Sequence, residues 1–302
     1  MTQAMQEPVG IIGLGLLGSA MARRLCAEGY AVQGYDLDPA KTEALAAAGV
    51  QAATPETMRR DCGRIILAVF TTQQAREAAA RLYAASPARL YAASPARLLI
   101  CTTTCDPAAA QGLAHDAAQA GWRFVEAPLS GTSAQVLLGD GLGLIAGEEE
   151  AIDAARDLLE TICPRWHRVG GVGDAARTKL AVNLILGLNR LALAEGLVLA
   201  ERMGLDGPTF LDIVGDSAAY SQVMDTKGAK MIQRDFTPEG RAEQTLKDVW
   251  MMQAEAARLG QELPALAVYR AVLEACVAHG EGMLDSSVVI EEIRRRHLKG
   301  NT

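Results

Sequence analysis

Val9-Gly10-Ile11-Ile12-Gly13-Leu14-Gly15-Leu16-Leu17-Gly18-Ser19-Ala20-Met21-Ala22 lies near the start of the chain, and the architecture of the first half follows from it. Val9 to Ile12 is a short apolar run closed by glycine, the pattern of a buried strand. Ala20 to Glu28 reads as a helix and Ala31 to Tyr35 as a second strand. Gly13 through Gly18 therefore forms a G-x-G-x-x-G turn with a strand before it and a helix after it. Gly13 permits the tight turn and Gly15 lets the backbone approach a pyrophosphate. Gly18 allows close helix–strand packing, and the helix N-terminus attracts the anion. Leu14, Leu16 and Leu17 complete the same cofactor turn. The competing reading is an ordinary glycine-rich turn, and the flanking strands and helix argue against it. Asp36 ends the second strand, 18 residues beyond Gly18. A carboxylate there accepts hydrogen bonds from ribose hydroxyls and repels a 2′-phosphate. Asp38 adds negative charge, and no Lys or Arg follows until Lys41, so NAD is expected over NADP. The alternative for Asp36 is a simple turn residue before Pro39.

Outward from this turn, the first ~165 residues keep alternating short apolar runs with Ala-rich helical stretches, the rhythm of βα units around a parallel sheet. Further strands are expected at Ile65 to Val69, Leu98 to Cys101, Phe124 to Glu126, Leu142 to Ala146 and Trp166 to Val169. After Gly173 the character changes. Ala175 to Met203 contains no proline, only Gly187 and Gly196 as weak points, and Leu180, Leu184, Leu188 and Leu191 recur at helical spacing. The rest is helical pattern punctuated at Gly207-Pro208, Thr237-Pro238 and Leu263-Pro264. The fold class is α/β: a Rossmann-type doubly wound sheet over residues 1–170, then an all-α domain over 171–302, joined through the long helix. With no Gly/Ser linker between them, the halves are expected to pack closely around a cleft. Residues 81–88 and 89–96 are identical tandem octamers. A single pair of copies cannot build a solenoid. It reads as a local duplication in a connection where added length costs little.

Composition narrows the function. Of 302 residues, 50% are hydrophobic and 22% charged, enough apolar surface to offset ordering entropy and build a core. Twenty-nine Lys and Arg against 36 Asp and Glu leave a net charge of −7, which argues against nucleic acid as a partner. The dense basic run Arg294-Arg295-Arg296-His297, with Lys299, reads as a solvated helix end complementing the macrodipole. No apolar stretch reaches the ~18 uninterrupted residues of a membrane span; the best, Leu184 to Ala200, is broken by Asn189, Arg190 and Glu195. Met1 to Pro8 is too short and polar for a signal peptide. Six scattered cysteines show no metal spacing, as expected of reduced, buried thiols in a cytoplasmic protein without a metal site.

Two segments bear on substrate chemistry. Glu126-Ala127-Pro128-Leu129-Ser130-Gly131-Thr132 follows a strand, and Ser130, Gly131 and Thr132 offer hydroxyls and backbone N–H groups suited to a carboxylate. The same residues are also ordinary turn chemistry. Lys179 lies in the first turns of the long helix among Ala176, Leu180, Ala181 and Val182, with Asn183 four residues on along the same face. A lysine desolvated beside a cationic nicotinamide has a lowered pKa, as a general acid/base needs near neutrality. Asn183 would orient the amine or the substrate. The plainer reading is a lysine snorkelling from a helix start.

In this arrangement the chain resembles the 3-hydroxyisobutyrate dehydrogenase (β-hydroxyacid dehydrogenase) family over nearly its whole length. Gly13 to Ala22 resembles that family's G-L-G-x-M-G-x-x-M-A, with Leu17 for Met. Thr103-Thr104-Cys105-Asp106-Pro107 resembles S-T-x-x-P, which lies against the cofactor. Ala127 to Gly131 resembles A-P-V-S-G, and Gly173 to Asn183 resembles the G-x-G-x-x-x-K-x-x-N-N helix start. Lys247-Asp248 resembles the later K-D pair. Five motifs in the right order are far more specific than any one.

The resemblance implies a nicotinamide-dependent oxidoreductase interconverting a small β-hydroxy acid and its semialdehyde. Lys179 becomes the acid/base and Asn183 its polar neighbour, both touching substrate. Ser130, Gly131 and Thr132 become the carboxylate cradle. Thr104 and Lys247 approach the cofactor, and Phe70 and Thr71 stand where the family places a Leu-Pro against it. A homodimer or homotetramer is expected as well, with a small carboxylate as substrate. Departures fall on the substrate side: Thr132 replaces the second Gly of S-G-G, Ala175 a Gly, Val182 the first Asn, and Gly240 an aromatic residue. One alternative is an imine reductase of the same superfamily; those lack the helix lysine, which Lys179 argues against. The other is a non-catalytic NAD-binding protein, against which the retention of Lys179 and Lys247 speaks.

Overall fold

A computed structural model of the chain describes residues 7–83 and 97–296. The tandem octamers lie outside the described residues apart from Arg81, Leu82 and Tyr83, as does Lys299. Contacts divide the chain into two units, Met1–Lys179 and Leu180–Thr302.

The first unit is built on one nine-stranded sheet. Its parallel part comprises β1 (Val9–Ile12), β2 (Val32–Tyr35), β3 (Val50–Ala52), β4 (Arg64–Leu67), β5 (Arg97–Cys101) and β6 (Trp122–Glu126), ordered 3-2-1-4-5-6. β7 (Leu129–Ser130), β8 (Leu142–Gly147) and β9 (Arg165–Gly170) extend it: β8 runs antiparallel to β6 and β7 and parallel to β9. The central strands are apolar along their length because both faces are covered. Ile11, Ile66, Ile100 and Val125 are register partners across four strands and enter one core with α1 (Leu16–Ala27) and α7 (Glu149–Ile162). Their neighbours Ile12, Ile65, Leu67, Leu99 and Phe124 point the other way, into a second core. That alternation is the period of two of a pleated strand.

The connecting helices repeat one start signal. Asp38, Thr54 and Asp106 each accept a backbone N–H in the first turn, with Pro39, Pro55 and Pro107 following directly. Proline costs nothing there because its missing N–H would have had no helical partner. These caps begin α2 (Pro39–Glu43), α3 (Pro55–Asp61) and α5 (Pro107–Gln119), while α4 (Thr72–Tyr83) follows β4 and α6 (Ser133–Leu138) follows β7.

The second unit is helical. It contains the greater part of α8 (Asp174–Arg202), then α9 (Gly207–Gly215), α10 (Ala229–Gln233), α11 (Ala242–Arg258), α12 (Pro264–Ala278) and α13 (Val289–Arg295). Its core gathers Leu191, Leu197, Met231, Val249, Tyr269, Leu273 and Ile290. Gly187, read from sequence as a weak point, is required for packing: a Cβ there would sit 2.5 Å from the Tyr269 ring. By length and composition α8 is long and apolar enough to cross a membrane, contrary to the expectation that no stretch would be. One face of it packs inside the unit through Leu191, Leu193, Ala194 and Leu197, and its Arg190 donates to the Tyr269 hydroxyl at 2.7 Å.

The basic run at the C-terminus also needs correction. Arg294 is ion-paired with Glu201 and Glu291, Arg295 with Glu281 and Glu292, and Arg296 with Glu292. Arg294 and Arg295 close the last turn of α13, as expected of a helix end that complements the macrodipole, but the Arg294 side chain is only 14% exposed and fastens α13 onto the unit; His297 and Lys299 lie outside the described residues. None of the six cysteines is in a disulfide, and burial pushes the Cys62, Cys163 and Cys276 thiols up to about 12.

Candidate active site

The parallel strands bring four loops to one edge of the sheet, after β1, β2, β4 and β5. The strand order places β1 between β2 and β4, the point where the winding reverses and where such sheets bind ligands. Gly13 has φ +94°, and a Cβ there would lie 2.5 Å from the Ala68 carbonyl oxygen. At Gly18 a Cβ would collide with the Gly13 carbonyl. Both glycines are thus demanded by the turn itself. Gly15 differs: nothing lies within 4 Å of the position its Cβ would take. It is also the N-cap of α1, makes no side-chain cap, and no acid occupies that first turn. A helix start without a side-chain cap, beside a glycine with open space at its Cβ position, fits a pyrophosphate, and of the three glycines only Gly15 needs a ligand to explain it.

Asp36 joins this turn directly. Its Oδ2 accepts the Leu14 N–H at 2.8 Å, and its Oδ1 accepts the Asp38 N–H and the Lys41 ammonium, each at 3.0 Å. Burial alone would raise its pKa, but these three donors outweigh it and hold the carboxyl below the usual range. Asp36 is therefore more than the turn residue before Pro39. Lys41, which the sequence left outside the site, partly neutralises it.

The loops after β4 and β5 are tied together. Thr103 Oγ1 accepts the Val69 N–H at 3.2 Å and donates to the Val69 carbonyl at 3.0 Å. The Phe70 and Thr71 N–H groups both donate to Gln74 Oε1, at 2.9 and 3.1 Å, which fixes their backbone at the start of α4. Thr104 follows, half-buried. The structure thus brings Gly13 to Gly18, Asp36, Phe70, Thr71 and Thr104 to the carboxyl ends of adjacent strands.

The loop after β6 carries Ser130, Gly131 and Thr132. Thr132 caps α6: its hydroxyl accepts the Gln135 N–H at 3.2 Å, while its own N–H donates to Gln135 Oε1 at 2.9 Å. Its N–H is thus spent locally, against the expectation that this group would serve a carboxylate. Its hydroxyl only accepts in the cap, so the O–H remains a donor.

Lys179 lies in the sixth position of α8 and is 7% exposed, among the buried Ala175, Ala176 and Leu180. Asn183 is one turn on, along the same face. In the helical unit the Asn183 Nδ2 donates to Asp248 Oδ2 at 2.9 Å, and Lys247 Nζ pairs with Asp248 Oδ1 at 3.0 Å. Lys247 and Asn183, separated by 64 positions in the chain, therefore meet through one carboxylate. Asn183 Oδ1 is buried without a hydrogen-bond partner. A buried amide oxygen without a donor is costly, and a substrate hydroxyl or an amine would satisfy it.

Sequence reasoning missed Glu126. It ends β6, is 1% exposed, and accepts the N–H groups of Gly173 and Ala176 at 2.7 and 2.8 Å. An acid directly after the apolar pair Phe124-Val125, at the end of a strand, was the available signal. Among the described residues no group of three or more His, Cys, Asp or Glu converges as a metal site would.

Comparison with known proteins bears on the family and the fold. Residues 8–171 match the family described as the NAD binding domain of 6-phosphogluconate dehydrogenase. Residues 173–293 match the one described as NAD-binding of NADP-dependent 3-hydroxyisobutyrate dehydrogenase. The chain is 31% identical to a probable 3-hydroxyisobutyrate dehydrogenase-like 2, mitochondrial, of Arabidopsis thaliana, covering 95% of this chain and 93% of the relative. It is 29% identical to an L-threonate dehydrogenase of Cupriavidus necator, covering 95% and 96%. Among solved structures, a Mycobacterium tuberculosis 3-hydroxyisobutyrate dehydrogenase with L-serine superposes with a TM-score of 0.80 at 25% identity, covering 96% of this chain and 100% of that one.

Proposed function

The chain belongs to the 3-hydroxyisobutyrate dehydrogenase family of NAD(P)-dependent oxidoreductases, and from that premise we propose that it interconverts a small β-hydroxy acid and its semialdehyde, with Lys179 as general acid/base and NAD as cofactor. The observation that carries the reading is the pair on α8: a buried lysine, and one turn along the same face an asparagine whose Oδ1 is buried without a donor. A pair so placed suits proton transfer with a substrate hydroxyl: the proton goes to the lysine, while the asparagine Oδ1 accepts an N–H of that amine and so aims it.

In the oxidative direction Lys179, as the neutral amine, takes the hydroxyl proton; in reduction its ammonium returns it. Its charge after the transfer steadies the oxygen on which negative charge develops. The nicotinamide, when bound, supplies the hydride acceptor or donor. Ser130, Gly131 and the Thr132 hydroxyl hold the substrate carboxylate, which fixes the reacting carbon in register. Asn183, held through Asp248, orients the Lys179 amine, and Lys247 contributes the cation of that cluster. The glycine turn receives the pyrophosphate, and Asp36 receives the adenosine ribose. Phe70, Thr71 and Thr104 line the cofactor from the neighbouring loops. The exposed Ile185 and Leu199 of α8, 63% and 60% accessible, are the surface we assign to a homodimer or homotetramer contact.

Incubation with NAD or NADP and a panel containing 3-hydroxyisobutyrate, L-threonate and L-serine tests the reading by the absorbance of reduced nicotinamide. Turnover of at least one acid, faster with NAD, is expected. No signal with any acid, and no oxidation of reduced cofactor with the matching semialdehydes, would leave the non-catalytic reading standing.

A further inference from the structure

The geometry points to Glu126 as a positioning residue that seats Lys179 relative to the carboxylate loop, an inference that rests on the acid/base reading of Lys179. Glu126 is the last residue of β6, and Ala127 directly after it opens the loop that carries Ser130, Gly131 and Thr132. A carboxylate in this place is almost wholly out of water, 1% exposed, which is costly unless strong donors meet it. They come from 47 and 50 residues away: Gly173 N–H to Oε2 and Ala176 N–H to Oε1.

These donors are the ones that the start of α8 leaves without helical partners, at the positive end of its dipole. The first residue of α8, Asp174, turns back to accept the Gly171 N–H at 3.0 Å, so it caps the preceding turn. Glu126 thus does at long range what a neighbouring Ser or Asp does at other helix starts. Both its oxygens accept at short distance, the geometry of charge-assisted bonds. Lys179 follows Ala176 by three residues, less than one turn. One side chain therefore links the end of the loop's strand to the turn that carries the amine, and a small displacement there moves the proton relay away from the substrate's hydroxyl.

The titratable groups around Glu126 are Asp174 on the helix start and Cys101, its register partner on β5. Burial raises the Glu126 pKa, while the N–H groups of Gly173, Ala176 and Ala175 pull it down.

The experiment compares Glu126→Gln and Glu126→Asp with the parent protein. It reads turnover of the best acid from the panel, cofactor affinity by nicotinamide fluorescence, and the pH midpoint of Lys179. That midpoint is measured by competitive acetylation and peptide mass spectrometry, which needs no substrate. Glu126→Gln is expected to lower turnover about tenfold or more with cofactor affinity held, and to lower the Lys179 midpoint, because the positive end of the α8 dipole is left without its carboxylate. Glu126→Asp keeps the charge but withdraws it by one methylene, so turnover falls at an unchanged midpoint. Undiminished turnover in Glu126→Asp, or an unchanged midpoint in Glu126→Gln, would overturn the inference. Lys179→Ala, assayed in parallel, separates the two ideas: full turnover there defeats the acid/base reading, whereas the seating of the amine stands or falls on the acetylation midpoint.

Discussion

The Asp36 carboxylate accepts the Leu14 backbone N–H at 2.8 Å, so the end of β2 and the glycine turn form one hydrogen-bonded unit. The residue that would read the ribose also shapes the pyrophosphate turn. Asp36→Ala is therefore expected to weaken NAD binding while relaxing discrimination against NADP, shifting the NADP-to-NAD affinity ratio by about tenfold or more toward NADP. Lys41 gains from the change, because its ammonium is released toward a 2′-phosphate. Titration of both cofactors checks it, and an unchanged ratio removes the basis for naming NAD.

Two glycines of the same turn should fail in different ways. Gly15→Ala adds a methyl group where nothing lies within 4 Å, so the protein keeps its unfolding temperature but loses cofactor affinity. Gly18→Ala forces a methyl against the Gly13 carbonyl and costs about 3 kcal/mol of stability. Thermal unfolding paired with nicotinamide titration separates the two outcomes.

How much of this was legible beforehand depends on whether the signal was local. The central strands fell within a residue or two of their expected places because strands buried on both faces are continuous apolar runs. Val50-Gln51-Ala52 escaped notice since it is a three-residue edge strand with only Val50 buried. Leu129–Ser130 escaped as a strand because it has two residues inside a proline loop. The glycine turn was readable because its three glycines fall at fixed spacing between a strand and a helix that are both local in sequence. Glu126 was not, since its partners start a helix 47 residues later. The burial of Arg294 was hidden for the same reason: it is satisfied by Glu201, 93 positions back.

Acid stability should depend on Asp285. It is fully buried, its Oδ2 accepts from Lys227 Nζ and the Glu239 N–H, each at 2.9 Å, and its Oδ1 accepts the Ser287 N–H at 3.0 Å. Burial pushes its pKa up, but Lys227 and these N–H groups outweigh it and hold the carboxyl below its ordinary value. A depressed folded pKa contributes stability above the unfolded value of about 3.9, and that stability is lost as pH falls through the folded pKa. Asp285→Asn removes the fully buried partner of Lys227, leaving it only Glu239 at 3.3 Å, and is expected to cost about 3 kcal/mol at neutral pH, while flattening the decline below pH 4. Denaturant unfolding at several pH values tests both parts; a loss that does not shrink on acidification contradicts the assignment.

The exposed apolar residues of α8 give a prediction about assembly. Leu199→Glu is expected to reduce the oligomer's mass in light scattering without lowering the unfolding temperature of the isolated chain. A parent protein already monomeric at micromolar concentration contradicts the homo-oligomer proposal.

The most direct trial is Lys179→Ala. Removing the amine should lower turnover by about 10²–10⁴-fold, the usual worth of a positioned acid/base, while the dissociation constant of NAD stays within about threefold. Turnover close to the parent's, or a loss of cofactor affinity as large as the loss of rate, would show that the proton passes elsewhere.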